Sequence, residues 1–281
     1  LEVSGLTPRT SYSFKAFATN GHGTNYTSIE TFSTLSNNAN LASLTLTSSS
    51  LTPTFSSGTI SYFVSVPHST NAITITPTPA EAEATILARI NGGDYEAVAY
   101  GDDLGPLELN VGSNLVELQV TAQDGLSIKT YTVTVTREKA AQVIEFAPIP
   151  DQLATNSVEL TAIGGGSGNP VTFAVTTGPG VITSNTLTFT SSGIVSITAS
   201  QLGNDEYHDA QPVVRNIAVN KVASSILLSQ LTHIADGTPR AALATSSTPH
   251  LAVHLTYSGS PVAPILPGSY AVMAVINDPI Y

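Results

Sequence analysis

Cysteine and tryptophan are both absent, methionine occurs once, and only nine lysines and arginines stand among 281 residues. Without cysteine there are no disulfides, no thiolate metal ligands and no cysteine nucleophile. Export stays open, because domains of ordinary size can build a sufficient core without cross-links. Charged residues make up 10% of the chain, against roughly 25% in an average soluble domain. Uncharged polar groups must therefore cover the surface, and runs such as Ser48-Ser49-Ser50 and Ser56-Ser57 supply them. Long hydrophobic runs are missing too: no stretch reaches the roughly 18 apolar residues a membrane helix needs, so no membrane span is expected. Leu1 is not an initiator and no basic segment precedes an apolar one, so no export signal is read at the start.

Positive charge is the scarcest chemistry. Twenty acidic residues outweigh the nine basic ones, for a formal net charge of −11. The segments 1–35, 36–137, 138–221 and 222–281 carry 0, −6, −4 and −1 in turn. A phosphate-binding surface needs clustered Lys and Arg, so nucleic acid is excluded as an expected partner.

What the chain does have is alternation of period two, the mark of half-buried strands. Val116, Leu118 and Val120 alternate with polar residues, as do Tyr131, Val133 and Val135. Between them lies Asp124-Gly125, a hairpin signal for a type I′ turn, which needs positive φ at both central positions. Val171, Phe173 and Val175, then Leu187 and Phe189, then Val195, Ile197 and Ala199 repeat the pattern. Ala80 to Ile90 contains good helix formers, yet Thr85–Asn91 reads as a strand ending at Gly92-Gly93. Short strands punctuated by Gly, Pro, Asn and Ser predict an all-β chain of tandem sandwiches. A length of 281 residues suggests two or three domains. The pattern resets at Leu35–Asn40, read as a polar linker, at Arg137–Ala141 and at Asn220–Ser224.

Several segments resemble known families. In 1–35, Leu6, Pro8, Thr10 and Tyr12, followed by Phe14, Ala16, Ala18 and Asn20, resemble the C-terminal part of a fibronectin type III domain. Tyr12 is its candidate tyrosine corner. In 36–137, Ala39–Leu44, Leu51–Phe55, Tyr62–Val66, Leu109–Asn114, Asp124-Gly125, Tyr131 and Arg137 resemble the cadherin-like β-sandwich family of bacteria. The acidic calcium-ligand motifs of true cadherins are absent. In 138–221, Ile144–Phe146, Pro148–Pro150, Asn169–Phe173, Gly203-Asn204 and Tyr207 resemble bacterial Ig-like repeats. In 222–281, Asp236–Pro239, Val253, Leu255–Tyr257 and Pro267–Tyr270 resemble the Ig-like type called the MBG domain. These resemblances imply antiparallel Greek-key sandwiches, with both terminal copies truncated.

The candidate sites are few. His250 and His254 have HxxxH spacing, but their neighbours alternate as on a strand, where four residues span about 13 Å, too far for one ion. Asp205, Glu206, His208 and Asp209 form the densest acidic cluster, without calcium-loop spacing, around Tyr207 as a core plug. Asp102-Asp103 reads as a turn. Gly164–Gly168 lacks the lysine of a phosphate loop and the spacing of a nucleophile elbow, and reads as a flexible loop. Asn25-Tyr26-Thr27 is a formal glycosylation sequon, expected to stay unmodified. No serine has a His and Asp placed around it by a known motif. Expected catalytic, cofactor-binding and metal residues are therefore none, and no cofactor is expected.

With no Trp, and with Tyr62, Tyr131 and Phe173 at core positions, sugar-stacking platforms are scarce. The reading is a non-catalytic spacer or stalk in a large bacterial cell-surface or secreted protein. Its expected partners are neighbouring domains, with a cell-surface protein or polysaccharide as further candidates. The alternatives are an adhesive or glycan-binding array, and accessory domains of a secreted polysaccharide-degrading enzyme.

Overall fold

The computed structural model describes residues 3–47 and 49–281; Leu1, Glu2 and Ser48 lie outside the described residues. Every regular element among them is a β-strand, and the chain divides into two compact units, Leu1–Ala140 and Ala141–Tyr281.

The first unit opens with β1 (Ser11–Phe14), β2 (Phe17–Asn20), β3 (Gly23–Tyr26) and β4 (Glu30–Ser33). β1 pairs with β4 and β2 with β3, giving one antiparallel hairpin interrupted at Lys15-Ala16. Thr27 mends the interruption: its N–H donates to Ala16 O and its hydroxyl accepts the Ala16 N–H, at 2.9 and 3.0 Å. The Tyr12 hydroxyl accepts the Thr7 N–H at 2.8 Å, an upstream backbone contact of the kind a tyrosine corner makes. Phe14, Phe17, Tyr26, Ile29 and Phe32 of this hairpin are exposed.

The rest of the unit is a sandwich. Its early strands are β5 (Leu41–Leu46), β6 (Ser61–Val66), β7 (Ala72–Pro79) and β8 (Thr85–Ile90). β9 (Glu96–Val98), β10 (Leu104–Glu108), β11 (Gly112–Thr121) and β12 (Ile128–Arg137) complete it. One sheet has the order β10-β7-β5, the other β6-β12-β11-β8-β9. Period two decides what lies between them: Val116, Leu118 and Val120 of β11 and Tyr131, Val133 and Val135 of β12 are fully buried in one core with Tyr62, Ile75 and Leu41. Pro77 and Pro79 sit in the middle strand β7, where a missing N–H should break a ladder. They are tolerated because β10 pairs β7 only at Ala72, Ile73 and Ile75, so the prolines lie beyond its end.

Two features depart from simple expectation. β6 joins β12 in parallel, which is possible because five strands intervene in sequence and supply the crossover. The β11–β12 hairpin forms, but not through a type I′ turn: of Asp124 and Gly125, only Gly125 has positive φ. A longer loop is closed instead by Ala122 N–H on Ser127 O at 2.9 Å. Asp124 Oδ1 accepts the N–H groups of Leu126 and Ser127, both at 2.9 Å. The Ser127 and Leu126 amides hold the Asp124 carboxyl below the usual carboxylate range. The paired positive φ angles occur elsewhere, at Asn91 and Gly92, where the Gly93 N–H reaches Ile90 O at 3.0 Å. They follow β8, so Ala80–Ile90 holds a turn and a strand, not a helix.

The second unit contains β13 (Gln152–Leu153), β14 (Ser157–Glu159), β15 (Thr172–Thr177) and β16 (Gly180–Thr183). β17 (Thr186–Phe189), β18 (Gly193–Ser200) and β19 (Val213–Asn220) follow. The sheets β13-β19-β18-β15 and β14-β17-β16 enclose Ile144, Phe146, Leu160, Leu187, Ile197 and Ile217. Here too one ladder is parallel, β13 with β19. β20 (Ile226–Ser229) pairs with β21 (Leu243–Ser246), and β22 (Val253–Tyr257) with β23 (Val272–Ile276). These last hairpins bury far less: Ala242 and Tyr257 are their buried hydrophobic residues.

Candidate functional site

His254 lies on β22 with an exposed side chain, whereas His250 sits in the turn before it with φ of 71°. The expectation that both share one strand is thus corrected: the strand begins three residues after His250, because the turn interrupts the extended backbone. Among the described residues, no group of three or more His, Asp or Glu is placed to hold a metal ion.

The Asp205–Asp209 loop is organised by its own backbone. Asn204 Oδ1 accepts the N–H groups of Glu206 and Tyr207, both at 2.9 Å. Asp209 Oδ1 accepts the Gly203 N–H at 2.7 Å, so this carboxylate caps the loop. Tyr207 is half-buried. Thermal unfolding in excess calcium and in chelator should therefore coincide. A site held at 100 times its dissociation constant would add about 2.7 kcal/mol and raise the midpoint by several degrees. A calorimetric shift of that size would show that calcium binds, with the Asp205–Asp209 loop as the first place to look.

Gly164–Gly168 is not the flexible loop its composition suggests. A Cβ on Gly165 would stand 2.6 Å from Gln142 Cβ, and one on Gly166 would stand 2.4 Å from the Tyr207 ring. The backbone threads between two buried glutamines. Gln201 Oε1 accepts the Gly165 N–H at 2.7 Å while Gln201 Nε2 donates to Asn169 O at 2.7 Å. Gln142 Oε1 accepts the Ser167 N–H at 3.0 Å, and its Nε2 donates to His208 O at 2.8 Å. Glycine is there for close approach, and the buried amides satisfy a backbone that has no ladder of its own.

Leu35–Asn40 is likewise no free linker. Ser36 and Ala39 are buried. Ser36 N–H donates to Gln123 Oε1 at 3.0 Å and Ser36 O accepts the Asp124 N–H at 3.1 Å. Arg9 N–H donates to Leu35 O at 3.2 Å, and its guanidinium pairs with Glu81 at 2.7 Å. In the second unit, Val222 N–H donates to Ile280 O at 2.8 Å and Ser192 N–H to Pro279 O at 3.0 Å. Lys221 Nζ donates to the carbonyls of Asp278 and Tyr281, while Ile280 packs against the buried core around Leu187, Ile197 and Ile217.

One cavity escaped sequence reasoning. About 380 Å³ opens between the Gln230–Ala242 and Ser258–Ala271 loops, lined by His233, Arg240, Leu266, Pro267, Ser269 and Tyr270 among others. Arg240 pairs through Nη2 with Asp236 Oδ2, and its N–H donates to Pro264 O at 3.0 Å. Its Nε is buried without a partner. Asp236 Oδ1 accepts the Thr238 hydroxyl at 2.6 Å and the Thr238 N–H at 3.1 Å. The Thr238 bonds, and the Arg240 charge behind them, hold the Asp236 carboxyl below the usual range. No sequence signal could have found this site, since its lining comes from two loops without a chemistry-bearing motif.

Residues 41–138 match the family described as the cadherin-like beta sandwich domain. Residues 224–281 match the family described as the MBG domain. The cadherin-like segment is the sandwich of β5 to β12, and the MBG segment holds the Arg240 cavity. A curated relative, a "Putative membrane protein" of Evansella cellulosilytica, is 36% identical over 107 residues. That span is 38% of this chain, and the chain spans 15% of the relative's length. Among solved structures, the fibronectin(III)-like modules of Clostridium thermocellum CbhA are 13% identical, with a TM-score of 0.24, covering 63% of this chain and 94% of that one. Immunoglobulin domains 1–5 of Sidekick-1 are 11% identical, with a TM-score of 0.35, covering 96% and 61%.

Proposed function

We propose that this chain is a set of non-catalytic spacer modules from a bacterial cell-surface or secreted protein, divided at 1–35, 36–137, 138–221 and 222–281. The observation that carries the reading is the way successive segments are tied. Inside the second unit, the 221–222 junction is closed by backbone bonds from Val222 and Ser192 to residues 280 and 279, with Lys221 across the end. A junction that serves only to connect needs none of this; one that must hold a distance does, because a flexible linker lets its ends wander as the square root of its length. The charge-poor composition, and a relative named as a putative membrane protein, support a place outside the cell. The families matched are folds that host many roles, so the reading rests on the joints and not on the fold.

Because the chain has no cysteine, two introduced ones are unique labels. With spin labels at Thr161→Cys and Thr245→Cys, electron–electron distance measurements should give one narrow distribution. Lys221→Ala combined with Ile280→Ala should broaden it. A broad distribution in the starting chain would remove the basis for a stiff spacer.

A further inference from the structure

We infer that the Arg240 cavity of residues 222–281 is a binding site for a neutral sugar residue, such as the end of a polysaccharide chain. This goes beyond the spacer reading and does not depend on it, since a module can hold a distance with or without a ligand at its loop end. The cavity volume of about 380 Å³ falls at the lower end of the roughly 300–1,000 Å³ that small-ligand clefts occupy. Its lining suits a ring with hydroxyls on the edge and C–H groups on the faces. Tyr270, Leu266 and Pro267 supply apolar surface, while Arg240, His233 and Ser269 supply polar atoms. Tyr270 is tied at the rim, its hydroxyl donating to Leu266 O at 3.1 Å.

Charge selects among ligands. The positive charge of Arg240 is already met by Asp236, which the Thr238 bonds keep ionised. An incoming carboxylate or phosphate would have to share a guanidinium with an existing anion, and no second Lys or Arg lines the cavity. The Nε is closed off without a partner, yet the Arg240 side chain is 41% exposed, so its outer guanidinium N–H groups are the ones a ligand meets. A hydroxyl oxygen accepts from them and adds no charge. Sugar contacts of this type combine stacking on an aromatic face with hydrogen bonds from a planar, fixed guanidinium.

The test uses the whole chain, labelled with nitrogen-15, and four probes added separately: glucose, galactose, mannose and N-acetylglucosamine. Acetate and inorganic phosphate form the anion arm. At least one sugar should shift the Arg240 Nε–H and the Tyr270 amide in a saturable way, with a millimolar dissociation constant as befits one small ring. Arg240→Gln should weaken that binding at least tenfold, and so should Tyr270→Ala, an exposed change at the rim that leaves the buried Tyr257 in place. Unchanged amide shifts along β20 to β23, away from the substituted side chain, would show in each variant that the module carrying the cavity is still folded. The inference is overturned if none of the four sugars shifts these signals at about 100 mM, a concentration far above a millimolar constant. It is also overturned if acetate or phosphate saturates the site where sugars do not, or if both variants bind sugar as the parent does.

Discussion

Truncating Tyr131 to alanine should destabilise the cadherin-like sandwich by about 3–5 kcal/mol, the range for removing a large buried aromatic. The ring is fully buried between β11 and β6, among Val133, Val135 and Tyr62, and the surrounding strands cannot collapse into the space without breaking register. Its hydroxyl also works at the sheet-to-sheet seam, accepting the Leu41 N–H at 3.1 Å and donating to Ser57 O at 2.9 Å. Tyr131→Phe separates the two contributions. It keeps the packing but strands the buried Leu41 N–H, at about 1–3 kcal/mol. Ser57 O is less affected, since Lys129 Nζ still donates to it at 2.6 Å. Hydrogen exchange read at the slowest amides of β11 and β12 measures both variants. Since about 1.4 kcal/mol is a factor of ten, the alanine variant should lose protection by a factor on the order of 100 or more. A loss below tenfold would mean that the core is not closed around this ring.

Gly178→Ala should destabilise the second unit by roughly 2–5 kcal/mol, from strain and overpacking together. Gly178 has φ of 93°, and a Cβ there would lie 2.0 Å from Ile194 O and 2.8 Å from Val195 Cα. Both atoms are backbone of β18, so no rotamer change can relieve the clash; the register shift between Val175 and Thr177 leaves no slack beside it. Gly168→Ala is the matched control. It has φ of 71° and open space around the would-be Cβ, so it should lose only the left-handed penalty of about 1–2 kcal/mol. In urea, with a slope on the order of 1–3 kcal/mol per molar, the midpoint of the β18 and β19 resonances should fall by about 1 M or more for Gly178→Ala. Equal midpoints for the two variants would show that close approach at Gly178 is unimportant.

These two positions mark how far the sequence can be read. Tyr131 was legible as core because Val133 and Val135 follow it at period two, and burial of one face forces that phase on the whole strand. Asn114 is the counterexample on the neighbouring strand. It is polar yet fully buried, because Nδ2 reaches Asn110 O and Val135 O while Oδ1 accepts the Asn110 N–H. Nothing local to Asn114 announces that Val135 will arrive opposite it. Likewise Gly178 reads as an ordinary turn glycine, and its importance exists only because Ile194 crosses beside it.

Alternation and the absence of cysteine were enough to determine an all-β chain of tandem sandwiches without thiolate sites. Those properties are local or additive: side-chain direction repeats every two residues, and composition needs no coordinates. The tertiary structure alone decided that Gly164–Gly168 is a packed cradle around Gln142 and Gln201, and that Leu35–Asn40 is docked. It alone brought Arg240 beside Tyr270 around an open cavity. Irregular segments have no repeat to reveal their inner face, and their backbone groups must be satisfied by whichever distant residues the sheets bring near them.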